Sequence, residues 1–510
     1  MKTIDSILNN ITTYRLTLYY LIFLVGVAAG LSFLGILNYN PLDILINALL
    51  AIIACYGANY VLAKMFRAVT NVESVFITAL ILVLIVPVQF PLSVGFIIGA
   101  SVLAMAVKYL LSVEKRHIFN PAAVSVAAIA LISPEHTATW WIGTPAMLPF
   151  VLAGGLFLLR KIQRGDMVFN FLMSYLIIVG IGAIFATGSL TSIVNTWQIS
   201  ILHSALFFFM FVMLTEPLTS PATAKLRNYY AYVVAFLYAT PILRLLSIGF
   251  TPEMALCVGN LFSYIINPNY RLDLTLQSKR QLSSDTYLFA FNQQKDFKFI
   301  PGQYMEWTLP HKYADDRGNR RYFSISSSPT ENEIAMTVKF YNPSSSYKKE
   351  LVNLSLGNKI IASQVAGDFV LPKNLKQPLT FIAGGVGIAP FRSMIQYIID
   401  KNLSVDIILL FTNRTVNDIL FSKTFERAKA NGVRTIYNLT DLQNLPQNWG
   451  RSSGYITDKK IMELIPDYKS RVYYLSGPQL MVQNFDQALK TAGINQERIK
   501  MDFFPGYSEK

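Results

Sequence analysis

The feature that most constrains this chain is a series of long apolar segments that stops near Pro268. A helix that crosses a bilayer needs roughly 20 mostly apolar residues to span a hydrocarbon core of about 30 Å. The pattern predicts ten spans, near residues 16–37, 43–63, 74–90, 92–112, 119–133, 146–162, 168–187, 200–215, 228–246 and 251–267. Beyond Pro268 the chain reads as an ordinary soluble protein. The 510 residues are 53% hydrophobic, as a mixture of the two parts would be.

The loops predict the orientation. Lys2 and Arg15 precede the first span, Lys64 and Arg67 follow the second, Lys115 and Arg116 the fourth, and Arg160, Lys161 and Arg164 the sixth. Lys225 and Arg227 follow the eighth, and Arg271, Lys279 and Arg280 the tenth. The intervening loops hold almost no Lys or Arg. Basic loops stay in the cytoplasm, so both termini and the soluble half are expected there, on a bacterial inner membrane. No segment reads as a signal peptide. The net charge of +14 fits basic loops beside anionic lipid, and no nucleic-acid partner is expected.

A weak internal repeat relates Ala79–Ser93 (ALILVLIVPVQFPLS) to Ala205–Thr219 (ALFFFMFVMLTEPLT). They fall on the third and eighth spans, which fits two five-helix halves of inverted topology. Polar residues in the spans are few; Asn120-Pro121, Glu216-Pro217 and Asn260 stand out and read as helix-end chemistry. Lys108 and Arg244 lie near span ends, where long side chains reach the interface. Cys55 and Cys257 exclude a disulfide framework and a four-thiolate iron–sulfur cluster within the chain. Of four histidines only His203 lies well inside a span, which disfavours a bis-haem relay, and no metal site is expected.

Three stretches of the membrane half, HIFNPAAV (117–124), TEPLTSPAT (215–223) and GNLFSYIINP (259–268), resemble the B subunit of sodium-pumping NADH:quinone reductase and the D subunit of the Rnf complex (the NqrB/RnfD family). The resemblance covers roughly residues 1–268. It implies FMN linked through phosphate to a threonine in an outward-facing loop. The corresponding stretch is Thr139-Trp140-Trp141-Ile142-Gly143-Thr144-Pro145, which lacks the family's serine and alanine, so Thr144 is read either as the attachment position or, more readily, as an ordinary loop residue before Pro145. The two tryptophans read as interface anchors.

In the soluble half, alternating stretches such as TYLFAFN and FIPGQYMEWTL predict an antiparallel barrel over 271–375. Over 376–510, strand, glycine turn and helix repeat as a doubly wound α/β unit. Three motifs carry chemistry. In Arg321-Tyr322-Phe323-Ser324, an arginine can pair with a pyrophosphate, and alternation puts Arg321 and Phe323 on one strand face. In TFIAGGVGIAP, Gly384, Gly385 and Gly387, then Ile388-Ala389-Pro390, lead from a buried strand into a helix whose N-terminus favours anions. In YYLSGP, a strand ends at Ser476-Gly477-Pro478.

Together and in this order the three resemble the ferredoxin–NADP reductase superfamily. That resemblance implies FAD phosphate at Arg321, aided by Ser345 and Ser346, and flavin-ring contacts at Phe323 and Ser324, with Tyr322 in the same motif. It implies NAD(P) pyrophosphate at Gly384–Pro390, the nucleotide ribose side at Asn413 and Arg414, and the nicotinamide near Ser476, Gly477 and Pro478. Ser324 and Ser476 are the expected catalytic positions; many members have cysteine where Ser476 stands. The tail DFFPGY (502–507) either covers the flavin or packs the domain end. The expected function is transfer of electrons from NADH or NADPH, through FAD, into and across the membrane to FMN, another flavin or an extracytoplasmic redox protein. The alternatives are an NAD(P)H:quinone reductase within the bilayer and a redox-driven ion transporter.

Overall fold

The computed structural model describes residues 8, 11–66, 71–113, 116–239, 250–266, 271–293, 297–315 and 318–502. Lys2, Arg67, Lys115, Arg244 and the tail from Phe503 to Tyr507 lie outside them. The chain divides into two units, residues 1–269 and 270–510.

The first unit is helical. Its helices are Thr13–Phe33, Pro41–Met65, Val72–Ile85, Val94–Leu110, Pro121–Ile132, Leu148–Ile162, Gly165–Thr187, Thr191–Leu202, Ala224–Ala239 and Pro252–Ile266. A short helix, Leu206–Phe208, runs into a π turn at Phe209–Met213. β1 (Ser112–Val113) pairs antiparallel with β2 (Arg116–His117). Three helices, Thr13–Phe33, Pro41–Met65 and Gly165–Thr187, are long and apolar enough to cross a membrane. The pair Thr191–Leu202 and Leu206–Met213 adds a fourth if its 62° bend lies within one span. The other apolar helices are short: the 14 residues of Val72–Ile85 rise only about 21 Å. Hydropathy locates apolar segments but does not measure how much of each stays helical. Pro87 and Pro91 stop one helix early, and Asn120 caps another late.

The two segments of the internal repeat are the most enclosed of the unit. Thr78–Val86 and Phe208–Thr215 are buried at every position. His203 sits exposed at the bend rather than inside a span. Lys108 is tied down, donating to Ser74 Oγ at 3.0 Å.

The second unit begins with a six-stranded antiparallel sheet, β3 (Arg271–Ser283), β4 (Thr286–Asn292), β5 (Tyr304–Thr308), β6 (Arg320–Ser324), β7 (Glu333–Lys339) and β8 (Lys359–Ala366). The order is β6-β5-β8-β3-β4-β7, and a bridge from Ile325 to Met336 closes it toward a barrel around Trp307, Phe289 and Phe291. A parallel sheet follows, with β9 (Leu379–Gly384), β10 (Ile407–Asn413), β11 (Val433–Leu439), β12 (Ser452–Ser453), β13 (Val472–Ser476) and β14 (Ile499–Asp502). Its order, β12-β11-β10-β9-β13-β14, reverses direction between β9 and β13. Ligands of open α/β sheets bind at such a switch point, beyond the carboxyl ends of the strands. β9 and β10 are buried at every position, because helices cover both faces.

Arg471 pins the opposite ends of these strands. It donates to both carboxylate oxygens of Asp406 (2.9 and 3.1 Å), to Asp467 Oδ1 (2.8 Å) and to the Leu379 carbonyl (2.9 Å). Both aspartates are about half exposed, so solvent weakens the ion pairs. Arg471→Ala should cost about 2 kcal/mol, mostly from the orphaned buried carbonyl and lost charged hydrogen bonds. Chemical unfolding should show that loss without a change in nucleotide affinity.

Candidate active site at the sheet switch point

The carboxyl ends of β9 and β13 touch through glycine. A Cβ built on Gly387 would lie 2.4 Å from the Ser476 carbonyl oxygen, and one on Gly384 2.1 Å from Met481 Sδ. Gly387 is therefore required by strand-end packing against backbone, whereas at Gly384 the neighbour is the flexible end of a methionine side chain. Gly385 differs: its φ is +52° and open space surrounds the missing Cβ. Gly385–Ile388 form a single 3-10 turn into the helix Ala389–Asp400, whose first turn has no side-chain cap and carries Pro390. Uncapped N–H groups with a helix dipole behind them are suited to an anion.

Next to this loop, Asn413 closes β10. It is 5% exposed, and neither its Oδ1 nor its Nδ2 has a hydrogen-bond partner among the described residues. A buried amide with no partner is costly, so the site is built to receive hydrogen-bonding groups. Arg414 is exposed, and its charge acts on Asp441, whose backbone N–H donates to the Arg414 carbonyl at 3.1 Å. The Asn444 amide, then local backbone N–H groups and the Arg414 charge, hold Asp441 below the usual carboxylate range.

On the barrel, Arg321 and Phe323 share one face of β6, and both pack on Tyr347. The Arg321 guanidinium lies 5.1 Å from that ring's centroid, and the Phe323 ring 6.1 Å. Arg321 also pairs with Asp315 at 3.5 Å. Burial pushes the Tyr347 phenol up, so it presents a neutral ring. Tyr322 turns to the other face, its hydroxyl 2.9 Å from Glu306 Oε2 and 3.1 Å from Gln364 Oε1. Ser345 caps the helix Ser346–Val352, accepting from the Lys348 N–H. Ser346 exchanges hydrogen bonds with Asp315 (its N–H to Oδ2 at 2.8 Å, its Oγ from the Asp315 N–H at 2.9 Å) and meets His311 Nε2 at 3.0 Å. Both serine side chains are thus committed inside the barrel. Ser324 and Ser476 are 8% and 5% exposed, each at the end of its strand.

Sequence reading missed Asp502. In the parallel register it sits opposite Ser476, so the two side chains share a sheet face. Its side chain is partly exposed, but Oδ2 is buried and has no partner among the described residues. Burial pushes the carboxyl up to about 7. Its place in an apolar edge strand could not be inferred from MDFF alone.

In the helical unit, motifs that read as separate helix-end features meet in one cluster. Glu216 Oε2 accepts from Asn120 Nδ2 (2.9 Å) and Thr219 Oγ1 (3.2 Å), and Oε1 lies 3.4 Å from His117 Nε2. Asn260 Oδ1 accepts from the Asn120 N–H (2.9 Å), while its Nδ2 donates to Tyr230 OH (3.1 Å). A small cavity lined by His117, Thr219, Asn260, Ser263 and Tyr264 opens beside them. Buried polar groups are also more numerous than expected. Glu253, 1% exposed, accepts from Trp140 Nε1 at 2.9 Å. Trp141 Nε1 donates to the Val83 carbonyl at 2.8 Å, and the Trp140 N–H to that of Ile85 at 3.0 Å. The tryptophans are thus interior donors rather than interface anchors, satisfying carbonyls left by the early end of Val72–Ile85. Thr144 Oγ1 is buried without a partner among the described residues, beside an apolar cavity lined by Gly143, Leu148, Leu202 and Phe207.

Comparison with known proteins agrees with the two-domain layout of the second unit. Residues 273–370 match the oxidoreductase FAD-binding domain, and residues 381–487 the oxidoreductase NAD-binding domain. The chain is 26% identical over 224 residues to the glycine betaine monooxygenase reductase subunit of Chromohalobacter salexigens, covering 43% of this chain and 60% of that one. It is 28% identical over 246 residues to NADH-cytochrome b5 reductase 1 of Emericella nidulans, covering 46% of this chain and 78% of that one. Among solved structures, the cytochrome P450 reductase GcoB of Amycolatopsis aligns with a TM-score of 0.41 at 22% identity, over 47% of this chain and 70% of that one. The FAD/NAD-binding domain of the Vibrio cholerae nitric oxide dioxygenase aligns with a TM-score of 0.40 at 20% identity, over 46% and 98%. The second unit is an NAD(P)H-dependent oxidoreductase module in which an FAD-binding domain precedes an NAD-binding domain.

Two outcomes follow from this geometry. Gly387→Ala should force the loop away from the Ser476 carbonyl and weaken NAD(P)H binding roughly 10- to 100-fold, for about 1–3 kcal/mol of displaced packing. Nucleotide titration of the FAD-loaded protein reads this directly, and flavin content should not change. Asp502→Asn tests the buried carboxyl. The folded chain holds the Asp502 proton more tightly than the unfolded chain, whose carboxyl titrates near pH 4. That contribution is full below pH 4 and lost as pH rises through about 7. Melting temperatures should therefore favour the Asn variant increasingly between those limits, with a constant gap above.

Proposed function

We propose that the chain takes electrons from cytoplasmic NAD(P)H through FAD into the membrane unit and across it, to a flavin or an extracytoplasmic redox protein. The observation that carries the proposal is that an FAD- and NAD-binding reductase module is continuous, at residue 270, with a helical unit holding three helices of membrane-spanning length. FAD supplies acceptance of a hydride and release of single electrons.

In this reading Arg321 holds FAD phosphate, Phe323 lies along the flavin ring, and Ser324 meets its reactive edge. The N–H groups of 385–388 hold the nucleotide pyrophosphate, Asn413 pairs with the ribose side, and Ser476-Gly477-Pro478 positions the nicotinamide. Ser345 and Ser346 shape the FAD phosphate end by ordering the 315–321 turn. The ten apolar segments, from 16–37 to 251–267, are the spans of an NqrB/RnfD-like domain with inverted halves and cytoplasmic termini. Thr144 is the position for phosphate-linked FMN, and its partnerless buried Oγ1 supports that assignment.

A second reading, a redox-driven ion transporter, draws support from Glu216 and Glu253, two acidic side chains held by interior donors. Removing Glu216 would abolish ion movement in that reading and leave electron transfer in place.

The test is flavin content of the purified chain before and after acid denaturation, with mass spectrometry of the Thr144 peptide. FMN is expected to stay on that peptide while FAD is released. FAD alone, with reduction of an added quinone, would replace transfer across the bilayer by quinone reduction within it. Folded protein without any flavin would overturn the reading altogether.

A further inference from the structure

The segment that carries Ser324 and the helix that carries the nucleotide loop are bolted together by Arg392. This residue lies in the first turn of the helix Ala389–Asp400, two positions after Pro390. Its Nη2 donates to Glu331 Oε1 at 2.7 Å, and Nη1 contacts Glu331 Oε2 and donates to the Ser326 carbonyl at 3.0 Å. Glu331 in turn accepts the Ser328 N–H on Oε2 at 2.6 Å. Ser393, fully buried, donates to the Ser327 carbonyl at 2.6 Å. At the far end of the helix, Thr330 Oγ1 donates to Asp400 Oδ2 at 2.5 Å. The guanidinium also lies 5.7 Å from the centroid of the Phe421 ring.

The bonds on the barrel side are local. Ser326, Ser327 and Ser328 have no exposure at all. The Ser327 hydroxyl accepts the Ala335 N–H at 2.9 Å, and Ser326 Oγ accepts from Thr337 at 3.0 Å. The turn is therefore rigid with respect to β7, and Arg392 and Ser393 are what make it rigid with respect to the nucleotide loop. A bidentate guanidinium–carboxylate pair is the strongest and most directional side-chain link available for this purpose.

We propose that Arg392, through Glu331 and the Ser326 carbonyl, is a positioning residue for hydride transfer, holding the Ser324 end of β6 in register with the nucleotide loop at Gly385–Ile388. It touches neither reactant. Hydride transfer moves two electrons and one proton from the dihydronicotinamide to the flavin, oxidising the first and reducing the second. It requires the reacting atoms within about 3–3.5 Å, and a shift of about 1 Å can cost 100-fold. The two carriers of those atoms belong to different domains, so their separation depends on links of this kind. The proposal rests on the assignment of Ser324 to the flavin and of 384–390 to the nucleotide.

The test uses the full chain in detergent, wild type, Arg392→Met, Arg392→Lys and Glu331→Gln. In the FAD-loaded protein, the rate of flavin reduction at saturating NAD(P)H should fall roughly 10- to 100-fold in Arg392→Met, with flavin content and half-saturating nucleotide unchanged. Arg392→Lys, which keeps the charge but loses the fork, should fall between. In FAD-free protein, amides 324–331 should exchange hydrogen faster in Arg392→Met than in wild type. Glu331→Gln keeps an acceptor for Ser328 and stands in should Arg392→Met not fold. An unchanged reduction rate overturns the proposal, as does a slowing that tracks lost flavin, or unchanged exchange at 324–331. Failure of the underlying site assignment looks different: wild-type flavin that NAD(P)H does not reduce, or Gly387→Ala binding nucleotide normally.

Discussion

Contact between the end of β9 and the turn after β13 is the constraint on which the catalytic unit depends. Gly387 lies against the Ser476 carbonyl and Gly477, and Gly384 against Met481 and Pro478. No side chain fits between them. That closeness brings the glycine turn after β9 and the turn after β13 to one crevice at the sheet's switch point. Everything else in the parallel sheet serves to keep it. Buried apolar faces on both sides fix the strands, and Arg471 ties their opposite ends. The barrel then needs only to present its Ser324 edge at the mouth of the same crevice.

How much of this was legible in sequence depended on how local each signal is. An apolar strand, a glycine turn and an amphipathic helix occupy a dozen consecutive residues, so TFIAGGVGIAP could be read directly, and so could the strand–turn YYLSGP. The individual glycines could not be assigned. Their spacing reads as a phosphate cradle, whereas Gly384 and Gly387 answer to neighbours about ninety residues away. The same limit hid the Arg392–Glu331 link, 61 residues apart.

In the helical half the difficulty was of another kind. Apolar runs mark where a helix can lie, but prolines and capping asparagines set its length, and several helices came out shorter than their apolar runs. Asn120, Glu216 and Asn260 each looked like isolated helix-end chemistry because their partners lie 96 and 140 residues apart along the chain. The tryptophans of the 139–145 loop looked amphipathic because sequence shows residue type. It does not show that Val83 and Ile85 leave carbonyls in need of donors.

The amide of Asn413, which has no partner among the described residues, leaves the stability of the α/β domain open to a ligand. Two buried polar atoms without partners leave the nucleotide domain less stable than its packing would allow, and a ligand that pairs with them restores the difference. Anything that binds only the folded state stabilises it by mass action. A ligand that filled these hydrogen bonds would make local opening of the domain rarer, and with the position empty the same segment would open more readily.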